Sequence, residues 1–192
     1  MGTRDRMLDA AAHVMRTKGL ARTTTKEIAK EAGFSEAALY KHFADKTDLF
    51  LAVLRERTPS GLHTLLTGLE AGRGDVRRTL IDIARAAMAF YAETFPIAAS
   101  IFSEPALLAA HREALKVHGT GPAMVPRMLV RYLEAERSLG RLPAGADPEA
   151  VADLLLGACH YQTFLGFFAD RPTDPEALVT ALWDGLGGAG PR

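Results

Sequence analysis

Twenty residues, Thr24 to Phe43, constrain this chain more than any other part of it: Thr-Thr-Lys-Glu-Ile-Ala-Lys-Glu-Ala-Gly-Phe-Ser-Glu-Ala-Ala-Leu-Tyr-Lys-His-Phe. They hold two short helix signals separated by a turn of the right length for one helix to cross the other. Thr24 followed by Glu27 is a Thr-x-x-Glu capping box, so a helix starts here. Ile28, Ala29 and Ala32 place apolar groups on one face of it. Gly33, free to take a positive φ, ends that helix in a left-handed cap. Phe34 returns apolar surface to the core, and Ser35 caps a second helix. Leu39 and Phe43, four apart, anchor this second helix inward, while Tyr40, Lys41 and His42 project outward or sideways. A third helix must bury the inner faces of these two. Residues 4–18 supply it, with Leu8, Ala11, Ala12 and Met15 on one side and Asp9, His13 and Arg16 opposite. Gly19 ends it.

The remaining chain also reads as helices. Asp45 caps a fourth, in which Phe50, Val53 and Leu54 pack. Pro59, after Thr58, should break it, because proline clashes with the preceding turn. Residues 60–70 resume a helix weakly, and Ala71-Gly72-Arg73-Gly74 is a loop. Val76, Leu80, Ile83, Ala84, Ala87 and Tyr91 mark a long helix that Pro96 should end. Residues 97–103 and 105–117 read as two pieces split at Pro105. Beyond the Gly119-Thr120-Gly121 loop, Pro122 should open a helix reaching about Leu139. Asp147-Pro148-Glu149 and Asp174-Pro175-Glu176 are twin start signals in which Asp caps and proline takes the first helical position. They open the last two helices, about 148–170 and 175–187, with Gly187-Gly188 as a frayed tail. No stretch alternates with period two over a strand's length. The expectation is an all-α protein of about nine helices. A three-helix head spans 1–50, with its motif at 24–43, and a larger helical bundle spans 51–192. The boundary falls in 47–60, inside a shared helix.

Composition narrows the class. The 192 residues are 48% hydrophobic with mean hydropathy near zero, as in a globular protein with a core to bury. Formal charge balances at 23 basic and 23 acidic residues, so the total points to no partner. Its distribution is uneven: residues 1–57 carry 11 basic and 8 acidic groups, and the rest carry 12 and 15. A mildly basic head suits contact with phosphate. The single cysteine, Cys159, excludes an intramolecular disulfide framework and a Cys-based zinc site. The N-terminus has no apolar run of signal-peptide length. The most apolar segment, about 150–169, is interrupted by Asp153, His160 and Gln162, which argues against a membrane span. The expected compartment is the cytoplasm.

The pattern Thr-x-x-x-Ile-Ala-x-x-Ala-Gly-x-Ser-x-x-x-Leu-Tyr-x-His-Phe, followed by Asp45-Lys46-x-Asp48-Leu49-Phe50, resembles the TetR family of bacterial transcriptional regulators. The likeness is dense over the first fifty residues and one of architecture beyond them. It implies that Thr24, Thr25 and Lys26 meet phosphates, and that Ser35, Glu36, Ala37 and Ala38 open the recognition helix and reach base edges. It implies further that Tyr40, His42 and Lys46 hold the DNA backbone. Hydroxyls and lysines are chemically suited to phosphate, and such contacts fix register without reading sequence. Glu36, Ala37 and Ala38 depart from the commoner Lys-Gly-Thr kind of sequence. An acid facing DNA is costly unless it accepts from cytosine N4, and alanine offers only a methyl contact to thymine.

In the body, Tyr91, Phe95, Phe102, His118, Met124, Met128, Tyr132, Tyr161 and Phe164 are candidates to line a pocket for a small apolar or aromatic effector, against the plainer reading that they are core. The 148–170 helix is apolar on nearly all sides and must be covered all round. Val151, Leu155 and Phe168, with Leu178, Leu182 and Trp183 of the last helix, are expected to form a four-helix seam between two copies, as the resemblance also implies. His111, His118 and His160 lack a spacing that would set two metal ligands on one helix face. Cys159 reads as a small buried hydrophobe. No cofactor, metal or catalytic constellation is expected. The combined reading is a homodimeric, ligand-responsive repressor that binds a palindrome-like duplex operator and is not an enzyme. The alternative is an all-α small-molecule-binding protein or enzyme whose head no longer binds DNA, which Glu36 with Ala37 and Ala38 keeps open. A nonspecific DNA-coating protein is a third reading, for which the large body would be wasteful.

Overall fold

The computed structural model describes residues 2–19, 22–57, 61–118, 121–170 and 172–187, and its regular structure is helical throughout. Ten helices follow in order among the described residues: α1 (Thr3–Lys18), α2 (Thr25–Ala32), α3 (Glu36–Leu39), α4 (Lys46–Glu56), α5 (Gly61–Thr67), α6 (Val76–Phe102), α7 (Pro105–His118), α8 (Met124–Ser138), α9 (Pro148–Gly166) and α10 (Pro175–Gly187). The chain divides into two compact units. One comprises residues 1–59 and 93–119, and the other residues 60–92 and 120–192.

In the first unit, α1 supplies the central apolar stripe. Met7, Leu8, Ala11 and Met15 are fully buried, and α2 and α4 pack against them. Ile28 of α2, Leu39 and Phe43 around α3, and Leu49, Phe50 and Val53 of α4 complete this core. The unit is larger than the three-helix head expected from the motif. Ile97 and Ile101 from the end of α6 and Leu107 of α7 join the same apolar cluster. Charged groups clamp it from outside. Arg4 holds Glu56 through two bonds of 2.7 and 2.8 Å, and Arg57 reaches Asp9 at 2.7 Å and Asp5 at 2.9 Å, tying α1 to the end of α4.

Pro96 does not end the long helix, contrary to the sequence expectation: α6 runs through it to Phe102. An interior proline removes one hydrogen bond and costs about 3 kcal/mol. Ile97 and Ile101 lie just beyond it, both buried, and each burial recovers about 1.5–3 kcal/mol, so continuing the helix is the better outcome. Pro105 opens α7, as expected. Pro122 does not open α8. It sits in a turn before Met124, and Pro126 falls in the first helical turn, where no intrahelical donor is needed. The break expected at Thr58-Pro59, the Gly119-Thr120 pair and Gly188 lie outside the described residues.

The second unit packs α5 and the first part of α6 with α8, α9 and α10 around Leu80, Ile83, Leu129, Leu133, Val151, Leu155 and Val179. Both Asp-Pro-Glu signals cap as read: Asp147 accepts from Glu149 N, and Asp174 accepts from Ala177 N at 2.9 Å. A buried carboxylate, Glu136, organises the loop before α6. Its Oε1 accepts from Gly72 N at 3.1 Å and its Oε2 lies 3.0 Å from Arg141 Nε, while Arg141 also donates to Gly74 O at 2.6 Å. Gly72 has φ +85°, and a Cβ there would come within 3.2 Å of Leu139. The helix α9 stops at Gly166, short of the expected 170. Phe167 and Phe168 close a turn on Phe164 O and Leu165 O, because glycine at 166 and proline at 172 give the helix nothing to propagate on.

Candidate nucleic-acid interface

The α2–turn–α3 segment forms as its residue types dictate. Thr24 Oγ1 accepts from Glu27 N at 3.2 Å, and the Glu27 carboxylate accepts from both Thr24 N and the Thr24 hydroxyl. Such a reciprocal cap contributes about 1 kcal/mol. Lys18 lies 2.8 Å from the same carboxylate, and these donors, Lys18 first and Thr24 second, hold Glu27 down to about 2. At the other end Gly33 takes φ +75°, and Arg6 donates to Ala32 O at 3.1 Å while stacking 4.8 Å above the Phe34 ring. Ser35 caps α3 by accepting from Ala38 N at 3.2 Å. The helix itself is one turn long, and bonds from Tyr40, His42 and Phe43 back to Glu36 and Leu39 extend its coil.

Most of the side chains named from the sequence are exposed. Ser35, Glu36, Ala37, Tyr40 and His42 are exposed, with Lys26 exposed at the start of α2. Ala38 is half-buried and packs partly on the core, which leaves Ala37 as the more available methyl. Lys46 is half-buried, its ammonium 5.0 Å from the centroid of the buried Phe50 ring. Two of the named hydroxyls already have partners within the protein. The Thr24 hydroxyl is occupied by the capping box. Thr25 is 8% exposed and donates to the Glu36 carboxylate, while Tyr40 Oη donates to Thr25 Oγ1 at 3.3 Å. One oxygen of the exposed Glu36 carboxylate is thus engaged within the protein.

Arg4, Arg6 and Arg57 were not legible as supports of this surface. Their partners lie 26 to 52 positions away, beyond any local pattern.

Known proteins agree with this geometry. Residues 7–53 match the family described as bacterial regulatory proteins, tetR family. A relative from Bacillus subtilis (strain 168), the uncharacterized HTH-type transcriptional regulator YvkB, is 30% identical over 171 residues, covering 88% of this chain and 82% of its own length. The chain belongs to the TetR family. This TetR-family transcriptional regulator shares its fold with a TetR-family protein from Mesorhizobium loti. The TM-score is 0.73 at 20% identity, over 97% of this chain and 94% of that one. It shares it also with SmeT, the repressor of a Stenotrophomonas maltophilia multidrug efflux pump, with a TM-score of 0.66 at 22% identity, over 98% and 90% of the two chains.

The regulator's other named residues are less unified. Within the second unit Tyr91 is half-buried and meets His160 edge-on at 5.1 Å, Met124 and Met128 are half-buried, and Tyr132 is 7% exposed. Burial pushes the Tyr91 and Tyr132 hydroxyls above their ordinary pKa. Tyr161 and Phe164 do not line an enclosed cavity, being 59% and 44% exposed on α9. Phe95 and Phe102 belong to the first unit, Phe102 being 70% exposed, and the His118 side chain lies outside the described residues. A groove of about 570 Å³ opens instead along α6, α9 and α10, lined by Met88, Ala89, Ala92, Thr163, Phe167 and Pro175 among others.

The expected seam also needs correction. Val151 and Leu155 are 1% and 0% exposed, so the unit's own core covers them and a second copy cannot. Leu178, Leu182 and Trp183 are half-buried against that core. Exposed apolar residues of the 148–170 stretch include Leu154 at 60%, Tyr161 at 59% and Phe168 at 75%, seven residues apart, with Phe167 also exposed and Phe164 packed 5.0 Å from Phe168. The burial of Leu155 and exposure of Leu154 follow from the helix phase, which places the core stripe one residue on from the outer one. Cys159 is buried and its thiol pushed up to about 12 by desolvation. Among the described residues no helix is long and apolar enough to cross a membrane, and no group of three or more His, Cys, Asp or Glu could hold a metal ion.

Proposed function

We propose that this regulator is a homodimeric repressor that binds a palindrome-like operator and leaves it when a small apolar or aromatic molecule occupies its body, acting by binding and not by catalysis. The observation that carries this reading is the Gly33 turn. It ends α2 and leads into the Ser35-capped α3, around which Ser35, Ala37, Tyr40 and His42 are exposed. Lys26, Tyr40, His42 and Lys46 would hold phosphates, and the start of α3 would enter the major groove. The stripe Leu154, Tyr161 and Phe168 supports pairing of two copies, since helix faces this apolar are normally covered. Tyr91, Met128 and the groove beside Met88 support a ligand of apolar character. Repression is favoured by the shared fold with SmeT.

Selection of bound sequences from random duplex DNA tests the reading. Two half-sites in inverted repeat, about one helical turn apart or somewhat more, are expected. The absence of any enriched motif at moderate salt would overturn it.

A further inference from the structure

Glu36 is an acidic side chain on the face that should meet a polyanion. If it read bases, its carboxylate would need to be free to accept from cytosine N4. It is not free. The Thr25 hydroxyl, eleven residues earlier and 8% exposed, donates its only proton to Glu36 Oε1. The Tyr40 hydroxyl donates to Thr25 Oγ1 at 3.3 Å. The three groups form a directed chain, Tyr40 to Thr25 to Glu36, in which each O–H points toward the carboxylate. A hydroxyl has one proton to give. A phosphate that takes the Thr25 proton must therefore displace the carboxylate, and one that takes the Tyr40 proton must detach the chain's outer link.

We propose that Glu36 is a phosphate surrogate: an internal anion that occupies the Thr25 and Tyr40 hydroxyls in the free protein and competes with the DNA backbone for them. This rests on the reading of the head as a duplex-binding surface and refines the role of one of its residues. Competition of this kind is blind to base identity, because the phosphate is the same at every step of the duplex. Glu36 then lowers affinity for all sequences by a common factor and leaves the preferred sequence to the rest of α3. Two unit charges about 4 Å apart interact by about 1 kcal/mol in a water-like medium, and 1.4 kcal/mol is tenfold in affinity, so a factor of about three to ten is expected.

The test measures wild-type protein, Glu36→Gln and Glu36→Ala by fluorescence anisotropy, on the duplex enriched by selection and on a random duplex of equal length. Glu36→Ala should tighten both about threefold to tenfold. Glu36→Gln, which keeps an acceptor for Thr25 but loses the charge, should fall between it and wild type. In a Tyr40→Phe background the gain should shrink, because one of the released donors is gone. Repeating the selection with Glu36→Ala should return the same motif. Thermal melts of the exposed-site variants report whether the head remains folded. A changed base preference at one position, or affinities at or below wild type with an intact melt, would overturn the proposal while leaving the regulator reading in place. Wild-type protein that binds no duplex selectively would overturn that reading and this proposal together.

Discussion

Arg6 donates to the carbonyl oxygen of Ala32 at 3.1 Å, and in doing so closes the last turn of α2 just where Gly33 redirects the chain into α3. The same guanidinium lies over the Phe34 ring, so one side chain fixes both sides of the turn. Replacing Arg6 by Ala removes a charge-assisted bond and a cation–π contact, together worth about 1–2 kcal/mol at a partly exposed site. For a chain of this length that is a fall in Tm of about 3–6 °C by calorimetry. DNA affinity should fall further than stability alone accounts for, since the angle of α3 loosens. A variant with wild-type Tm and affinity would show that Gly33 sets the turn unaided.

Acid should weaken the first unit through a definable pair. The Arg4 guanidinium, with Arg55 adding less, holds the Glu56 carboxyl down to about 2. A carboxyl depressed in the folded state stabilises it above its unfolded pKa, and that contribution is lost as pH falls toward the folded value. The loss should therefore occupy the window from about pH 4.5 down to about 2. Glu56→Gln should flatten this part of a Tm-against-pH profile, leaving the profile above pH 6 parallel to wild type. An unchanged acid limb would mean that other carboxylates, such as Asp5 beside Arg57, dominate it.

Lys46 and Tyr40 are proposed to hold the DNA backbone, and salt separates them. Lys46→Ala should weaken binding to specific and random duplexes alike and reduce the log–log salt slope by about 0.9 for each copy of the lysine. Tyr40→Phe, which removes a neutral hydroxyl, should weaken binding with the slope unchanged. A reduced slope for Tyr40→Phe, or a constant one for Lys46→Ala, would exchange these roles.

Adjacent leucines on α9 should respond in opposite ways. Leu155 is wholly buried, and Leu155→Asp strands a charge in the core at a cost of about 3–5 kcal/mol, so the protein should unfold or fail to accumulate. Leu154 is 60% exposed, and Leu154→Asp should keep the single-chain fold while driving the protein to a monomer in analytical ultracentrifugation. Folded dimers of Leu154→Asp would place the interface elsewhere.

The head was legible because its signals are local. Thr24 with Glu27, Gly33 and Ser35 each act within four residues, and each formed as its chemistry predicts. Errors arose where a distant partner decides. Pro96 reads as a stop, and only the burial of Ile97 and Ile101 in the first unit carries α6 past it. The Thr25 bond to Glu36, eleven positions apart, likewise has no local signal. On α9, apolar residues occupy nearly the whole circumference, so periodicity could not tell Leu154 from Leu155. Which side faces inward is set by the packing of α6, α8 and α10.

The glycine-rich stretch 71–74 has the look of a surface spacer, the kind of place where a tag or reporter is usually grafted. Its backbone is committed nonetheless. Gly72 N and Gly74 O are bonded to the Glu136–Arg141 pair, and Glu136 has no exposed surface at all. Lengthening this spacer would pull a donor away from a carboxylate that solvent cannot reach. Its length is fixed from within, by an acid more than sixty residues further along the chain.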